Sequence, residues 1–205
     1  MAMPRFPLVL VLPLLVVAVA CGSDSPTTAS SGDPSAATST TLSPSTTVVP
    51  VECSTAGIRI QLQPQEGLPA AVTAKRQAIF DAAVACDYDT LETLAAKDFN
   101  YTFGDAAGGA ADYWRAREAA DEPVMKLLVQ ILNLPHVARQ LPDGGATYVS
   151  WPSADQDVRT DADWEALKGV YTDEQVAGFK SSDLYTGYRV AISHTGDWMY
   201  FVSGD

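Results

Sequence analysis

Basic residues are scarce in this chain and are nowhere clustered. It has 13 Lys and Arg against 25 Asp and Glu, which gives a formal net charge of −12 at pH 7. Proteins that bind nucleic acid or anionic membrane surfaces concentrate positive charge in a patch or along a segment. The sequence therefore predicts no nucleic-acid partner. We expect an acidic surface that serves solubility, with a cation-binding face as the alternative.

Sequence templates of common catalytic and metal sites are also missing. The only histidines, His136 and His194, do not fall in a His-Glu-x-x-His or similar zinc spacing. The spacing Gly104-x₄-Gly109 is followed by two alanines where a phosphate loop has Lys-Ser/Thr, and the serine-hydrolase motifs Gly-x-Ser-x-Gly and Ser-x-x-Lys do not occur. We therefore assign no catalytic residue, no metal and no cofactor from the sequence, and a non-enzymatic role is the better hypothesis.

Several aspartates between Asp155 and Asp163 have the spacing with which a calcium loop begins. An EF-hand numbered from Asp155 would have Arg159 at its fifth position, Thr160 where glycine is required and Ala166 where a bidentate Glu belongs. The pattern thus fails at three positions. We expect these aspartates to shape a loop and to cap the helix that follows, with weak cation binding as the alternative.

The first twenty residues, Met1–Ala20, have the features of a secretory signal. One positive charge, Arg5, precedes the apolar run Leu8–Ala20, and small residues precede a cleavage point. The run is shorter than the about 20 apolar residues that a membrane-spanning helix needs, and it contains Pro13. We predict that this segment is removed on export.

The end of the signal, Ala18-Val19-Ala20-Cys21, resembles the lipobox of bacterial lipoproteins. The resemblance implies that diacylglycerol is attached to the Cys21 thiol, that cleavage occurs before Cys21, and that the new amino group is acylated, for example with palmitate. Two or three acyl chains hold a protein on a membrane far more firmly than one. The chain is thus expected on the extracytoplasmic face of the cell membrane. An ordinary signal peptide followed by a cysteine is the alternative.

Residues 21–50 are rich in Ser, Thr and Pro and contain no aromatic residue. Such a segment buries too little apolar surface to offset the entropy of ordering, so we predict a disordered linker with a root-mean-square span of roughly 30 Å. Whether the linker is O-glycosylated is left open. Residues 51–205 remain as a single globular domain of ordinary size.

Two cysteines, Cys53 and Cys86, remain once Cys21 is assigned to the lipid. An even pair of cysteines in an exported domain favours a disulfide, because the compartment is oxidising. Closing that loop would stabilise the domain by roughly 3–4 kcal/mol in the chain-entropy model. A pair of free buried thiols is the alternative.

The domain shows both strand and helix periodicities. Strands are predicted at Ile58–Gln63, Phe99–Phe103, Ala146–Trp151, Tyr188–Ser193 and Trp198–Val202. Helices are predicted at Pro69–Ala85, Thr90–Ala96 (capped by Asp89), Ala110–Ala120, Asp161–Gly169, from Pro123 onward, and up to Lys180 after a capping box at Thr172–Gln175. These elements predict an α+β fold in which a curved, mainly antiparallel sheet of about five strands packs against about five helices.

The last predicted strand, Trp198–Val202, is apolar on both faces. Leaving Met199 and Phe201 in water would forfeit roughly 1.5–3 kcal/mol for each side chain. We therefore expect this strand to lie inside the sheet and to pair with more than one neighbour, instead of forming an edge or a mobile tail.

Two stretches of the domain resemble known proteins. Ala85–Leu94 followed by Asp98–Tyr101 is similar to the helix–turn–helix–strand opening of the nuclear transport factor 2-like (cystatin-like cone) superfamily. That resemblance implies a curved sheet wrapped around helices, with a pocket. The end of the chain, Tyr185–Asp205, resembles the ends of uncharacterised bacterial exported proteins, and it implies no activity.

The sequence leaves three functional hypotheses open. The leading one is a non-catalytic surface module that binds a small-molecule or polymeric envelope ligand, such as a glycan. The alternatives are a protein–protein interaction domain of a membrane or cell-wall complex and an enzyme with a cone-type pocket. Arg189 is a candidate anchor for an anion, with a salt bridge to a carboxylate as the alternative. An enclosed polar cavity would favour a ligand or substrate, whereas a filled core with an exposed apolar patch would favour a protein partner.

Replacing Cys21 with Ser removes the thiol that lipid attachment needs. We expect Cys21→Ser to block signal removal by the lipoprotein peptidase, to prevent fatty-acid incorporation and to misplace the protein. Metabolic labelling with an alkyne fatty acid and detergent phase separation measure these effects, with Cys53→Ser as the control for loss of a thiol. Unchanged labelling and unchanged partitioning of Cys21→Ser would contradict the lipoprotein assignment.

Overall fold

The computed structural model describes residues 53–104, 108–141 and 144–204. The predicted signal peptide, lipidated Cys21 and linker lie outside these residues. The described elements, in chain order, are α1 (Ala70–Val84), α2 (Tyr88–Leu94), β1 (Ala95–Asn100), α3 (Ala110–Ala119), α4 (Val124–Ile131), β2 (Val137–Gln140), β3 (Thr147–Trp151), α5 (Asp161–Leu167), α6 (Asp173–Ser182), β4 (Arg189–Ser193) and β5 (Trp198–Val202). In the part of the chain thus described, no helix is both long and apolar enough to cross a membrane.

The five strands form one open, mixed sheet in the order β1-β5-β4-β3-β2. Pairs β2–β3, β3–β4 and β4–β5 are antiparallel, and only β1 runs parallel to β5. A parallel pair needs a long crossover, and nearly the whole domain separates these two strands in the sequence. The predicted α+β class with a mainly antiparallel sheet is confirmed.

Strand β5 lies inside the sheet, as its sequence predicted. It pairs with β1 on one side and with β4 on the other. Its register against β4 shifts between Ala191, opposite Tyr200, and Ile192, opposite Trp198, so Met199 is the extra residue of a β-bulge. Because of this bulge, Trp198 and Phe201 both lie in the helix-side core, while Tyr200 lies on the opposite face of the sheet.

The main core fills the space between helices α1–α4 and one face of the sheet. Its largest side chains with at most 1% exposure include Ile79, Trp114, Leu128, Trp151, Trp198 and Phe201. The rings of Trp114 and Trp198 stack with their centroids 5.7 Å apart. A smaller core joins α5 and α6 through Ala154, Trp164, Leu167, Val176 and Tyr185. The sheet therefore has one face fully used for packing, and its other face carries the polar groups described below.

The predicted strand Ile58–Gln63 is wrong: this segment is not part of the sheet. Its backbone groups bond to side chains, since Gln63 N–H donates to Asn133 Oδ1 (2.8 Å) and Asn133 Nδ2 donates to Gln61 O (3.1 Å). The Arg76 guanidinium donates to Gln63 O (3.0 Å). The alternation of apolar and polar residues arose because the segment lies along the helices and only alternate side chains pack on the core.

Arg76 fixes this N-terminal segment to the end of α4. Arg76 is 2% exposed, and its guanidinium donates twice to Leu132 O, the C-cap carbonyl of α4, at 2.7 and 3.1 Å. Burial lowers the pKa of Arg76 to about 10. No carboxylate among the described residues lies within ion-pair distance of it. Carbonyl oxygens at a helix C-terminus carry partial negative charge and compensate the cation.

Other elements also differ from the sequence predictions. Asp87, not Asp89, caps α2, because its carboxylate accepts from Thr90 N–H at 3.0 Å. Strand β1 starts at Ala95 and not at Phe99. The short strand β2 was not predicted, and its pairing with β3 supplies the strand that Ile58–Gln63 does not. By contrast, the predicted capping box of Thr172 and Gln175 is present at the start of α6.

A disulfide joins Cys53 and Cys86. It holds the first described residue of the domain against the turn between α1 and α2. Nearby, the buried carboxylate of Glu118 accepts from Ser54 N–H (2.9 Å) and from Met125 N–H (2.7 Å). The start of the domain is thus tied both to α1 and to the first turn of α4.

Phe201 and Met199 provide a matched test of the position of β5. Phe201→Ala should lower the free energy of unfolding by about 3–5 kcal/mol, because it opens a cavity in the main core. Met199→Ala should cost only about 1 kcal/mol, because the bulged side chain is half-buried. Urea unfolding measures both. If both variants lost the same small amount of unfolding free energy, the result would contradict a central, structural position of β5.

Candidate anion-binding cleft

A cleft of about 320 Å³ lies on the face of the sheet opposite the main core. Three arginines line it: Arg139 from β2, Arg159 from the loop before α5, and Arg189 from β4. Successive side chains of a strand point to opposite faces of the sheet. On β4, Val190 lies in the main core and its neighbour Arg189 lines the cleft. On β5, Phe201 lies in the main core and its neighbour Tyr200 lines the cleft. The strands that build the core therefore also build the cleft.

Asp155 is the buried carboxylate of the cleft. Its side chain is 12% exposed and accepts hydrogen bonds from Ser150 Oγ (2.5 Å) and Tyr200 Oη (3.1 Å). One of its oxygens lies 3.6 Å from Arg139 Nη1 and 3.9 Å from Arg189 Nε. A buried charge is tolerated only when it is paired and hydrogen-bonded, and these four groups from four strands meet that requirement.

Backbone carbonyls orient the three guanidinium groups. Arg159 donates to Ala154 O and Asp183 O, both at 2.8 Å, and Arg189 donates to Tyr185 O (3.2 Å) and Gly204 O (2.7 Å). Arg139 donates to the carbonyl oxygen of Asp155. Carbonyl acceptors fix the direction of a guanidinium without neutralising its positive charge.

Positive charge is in excess inside the cleft. The arginine side chains are 27%, 11% and 15% exposed (Arg139, Arg159 and Arg189), and the one comparably buried carboxylate is Asp155. Asp157 pairs with Arg139 (3.4 Å) and Asp183 pairs with Arg159 (3.7 Å), but these carboxylates are 94% and 81% exposed, and ion pairs with exposed carboxylates are weak. Three held guanidinium groups against one buried carboxylate make the cleft suited to an anion.

Two tyrosines add neutral hydroxyls to the cleft. Burial and the nearby charge of Asp155 raise the pKa of Tyr200, and burial raises the pKa of Tyr185 well above its usual value. Both hydroxyls therefore stay protonated at neutral pH. Tyr185 Oη donates to Tyr188 O at 2.5 Å and lies 3.1 Å from Tyr171 Oη, so it forms part of the fixed wall.

The packing of Tyr171 and Tyr185 requires glycine at position 187. A Cβ at this position would lie 2.6 Å from Tyr171 Oη and 2.6 Å from ring and hydroxyl atoms of Tyr185. No side chain fits without moving one of the tyrosines, and Tyr185 O is one of the carbonyls that hold Arg189. The glycine thus allows the close approach on which the arginine's position depends.

Asp163 holds the loop that carries Asp155. Burial by itself would raise its pKa, but hydrogen bonds from Ser153 Oγ (2.5 Å), from Thr160 N–H (2.8 Å) and side chain, and from Gln156 (3.0 Å) lower it. With Thr160 it forms the capping box of α5. The predicted structural role of the aspartates is therefore correct for Asp163, whereas Asp155 serves the cleft.

The histidines are not brought together. His136 lies beside Trp151 with ring centroids 5.8 Å apart, and burial and the charge of Arg76 lower its pKa. His194 lies in the β4–β5 turn. Its backbone N–H donates to the carbonyl oxygen of Thr147, the first residue of β3, whereas Trp151, beside His136, is the last residue of that strand. Within residues 53–104, 108–141 and 144–204, no group of three or more His, Cys, Asp or Glu side chains is arranged to hold a metal ion.

Sequence reasoning singled out Arg189 and missed most of its partners. Arg139 and Tyr200 were not singled out, and Arg159 was noted only as a misfit in the calcium-loop pattern, because the three are separated by 20 or more residues and share no motif. The usable signal was the strand alternation, which puts Arg189 and Tyr200 on the face opposite Val190 and Phe201. Arg139 could not be found in this way because β2 was not predicted.

Comparison with family models, with curated proteins and with solved structures finds no match for this chain. The resemblances to bacterial lipoproteins and to the nuclear transport factor 2-like superfamily therefore stay predictions. The cleft itself is the basis for assigning a function.

Stability should depend on pH through Asp163. The pKa of Asp163 is lower in the folded chain than its ordinary value of 3.8. Its contribution to the free energy of unfolding is therefore fully present above pH 3.8 and is lost as the pH falls through the pKa of the folded state. Asp163→Asn should lower the free energy of unfolding by about 1–3 kcal/mol at pH 7, and the difference from wild type should shrink below about pH 4. Urea unfolding from pH 3 to pH 7 measures it.

Asp98→Asn, an exposed change on β1, is the control for this experiment and should have little effect at pH 7. A constant gap between Asp163→Asn and wild type down to pH 3 would mean that the ionised form of Asp163 is not what holds the loop.

Proposed function

We propose that this protein is a membrane-anchored, extracytoplasmic module that binds a small anionic ligand of the cell envelope in the cleft, without chemical change to the ligand. The observation that carries the proposal is the excess of buried positive charge. Arg139, Arg159 and Arg189 are held by backbone carbonyls, and Asp155 is the single buried carboxylate opposite them.

The arrangement of the arginines favours binding because little has to be ordered when a ligand arrives. Guanidinium groups form paired, charge-assisted hydrogen bonds with carboxylates and phosphates. Binding usually costs the ordering of flexible side chains, and side chains already held by the protein avoid much of that cost. Here Arg159 and Arg189 are each held by two carbonyl contacts.

The acidic exterior supports a selective role for the cleft. With a net charge of −12, the chain as a whole does not attract anions from a distance. An anion would have to be recognised by direct contact with the donors of the cleft. This differs from binding to an anionic membrane surface, which requires a basic patch.

The predicted anchor suits such a module. Lipid on Cys21 would keep the chain at the membrane, where a ligand of the cell envelope is present. The cleft is open to solvent, so the preference for a ligand over a protein partner rests on its three held arginines and not on an enclosed cavity. Asp155 is engaged by Ser150, Tyr200 and two arginines, so we assign it to positioning those groups rather than to catalysis.

Removing one guanidinium should weaken anion binding without unfolding the domain. Arg139→Gln should reduce the affinity for inorganic phosphate and for glycerol 3-phosphate by about 10- to 100-fold, since a hydrogen bond to a charged group contributes about 1.5–3 kcal/mol. Titration calorimetry of the full chain measures the affinity, and thermal unfolding without ligand checks the fold.

Arg59→Gln is the matched control, because it removes the same charge from an exposed arginine outside the cleft. It should leave both affinities unchanged. Neutral glycerol should not bind either protein. Equal affinities of wild type and Arg139→Gln for both phosphates, or no binding of either anion by wild type, would contradict the proposal.

A further inference from the structure

The exposed large apolar side chains of the described residues gather at the cleft. They are Phe103 (50% exposed), Val158 (80%) and Leu184 (40%). Phe103 and Leu184 line the cleft, and Val158 lies between two residues that line it, Asp157 and Arg159. Single exposed apolar residues are ordinary on a protein surface. Here, however, two of the three line the same cleft, and the third is adjacent in sequence to two residues that line it.

These three side chains come from separate parts of the fold. Phe103 follows β1, Val158 lies in the loop before α5, and Leu184 follows α6. None of the three belongs to either hydrophobic core. Core packing therefore does not explain why three segments place an apolar group here. Exposed apolar groups beside a polar site are typical of a binding surface.

The cleft consequently has two chemically different parts. Its charged part is formed by the three arginines with Asp155 and Tyr200, and its apolar part by Phe103 and Leu184. The Phe103 ring lies over the Arg189 guanidinium, with 5.3 Å from the ring centroid to Cζ, so the two parts are in contact. A fully hydrophilic anion such as inorganic phosphate would use only the charged part.

We propose that the ligand is an amphiphilic anion: a phosphate or carboxylate head bound by the three arginines, and a hydrocarbon portion that leaves along Phe103 and Leu184. This inference rests on the proposed function and specifies its ligand class. A volume of about 320 Å³ is near the lower end for small-molecule sites. It suits a head group with its first few carbons, while the remainder of a longer chain extends beyond the cleft.

The head group can come from two sources that share this chemistry. One is a lipid of the membrane to which the chain is predicted to be anchored, and the other is a free amphiphile of the envelope. In either case one head group enters a cleft. The scarcity of basic residues along the sequence does not oppose this, because the fold brings together three arginines that are far apart in the sequence.

A series of alkyl phosphates tests the inference on the full chain held in phosphatidylcholine nanodiscs. Methyl, butyl and hexyl phosphate are titrated by calorimetry, with empty nanodiscs as the blank. A fully buried methylene adds about fourfold in affinity, or ~0.8 kcal/mol. For a half-exposed rim we expect about twofold for each methylene, so hexyl phosphate should bind about 30-fold more tightly than methyl phosphate.

Variants separate the two parts of the cleft. Leu184→Ser should flatten the dependence on chain length, because hexyl phosphate should lose more affinity than methyl phosphate. Ile58→Ser, a half-buried apolar position outside the cleft, is the matched control and should keep the full dependence. Arg139→Gln should weaken binding of every member of the series by a similar factor.

Phosphatidic acid added to the same nanodiscs distinguishes the sources. If the head group belongs to a membrane lipid, phosphatidic acid should compete and weaken hexyl phosphate binding. If the amphiphile is free, the affinity should not change. Either result supports an amphiphilic ligand once the chain-length dependence is present.

Failure of the inference differs from failure of the proposed function. Methyl and hexyl phosphate binding with equal affinity would overturn the amphiphilic ligand and leave the anion-binding cleft intact. Absence of binding by every alkyl phosphate, together with absence of binding by inorganic phosphate, would overturn both.

Discussion

The buried carboxylate of Asp155 is the contact on which the polar face of the sheet depends. It accepts from Ser150 on β3 and Tyr200 on β5, and it lies within 4 Å of arginines on β2 and β4. A buried carboxylate that lost these partners would be costly, and the arginines would lose the one negative charge that is buried with them. The carboxylate and the guanidinium groups therefore stabilise one another's positions, and the remaining positive charge is left for a ligand.

Stability and function share the same strands. Val190 and Phe201 fill the main core, while their neighbours Arg189 and Tyr200 face the cleft. The bulge at Met199 lets Trp198 and Phe201 both reach the core, and it sets the register that turns Tyr200 towards Asp155. A change that shifted β5 by one residue would exchange the two faces and would lose the core and the cleft together.

The features that could be predicted from the sequence have signals within a few neighbouring residues. The features that could not be predicted depend on contacts between residues far apart in the sequence. The terminal hairpin, the capping box at Thr172 and the paired cysteines carry their signals within a few residues or by simple counting, and the structure contains all three. The segment Ile58–Gln63 has the strand pattern, but its hydrogen-bond partners are side chains of Asn133 and Arg76, which no local pattern reveals. The cleft was missed for the same reason, because its arginines meet only through strand pairing and loop contacts.

Side-chain NMR of the arginines is the most direct measurement of the central claim, that the three guanidinium groups of the cleft bind one anion. On titration of the full chain with methyl phosphate, the Nε–Hε signals of Arg139, Arg159 and Arg189 should shift with a single dissociation constant. The signals of exposed Arg59 and of buried Arg76, which lie outside the cleft, should stay in place. Shifts of equal size at all five arginines, or no shift at the three in the cleft, would contradict the account.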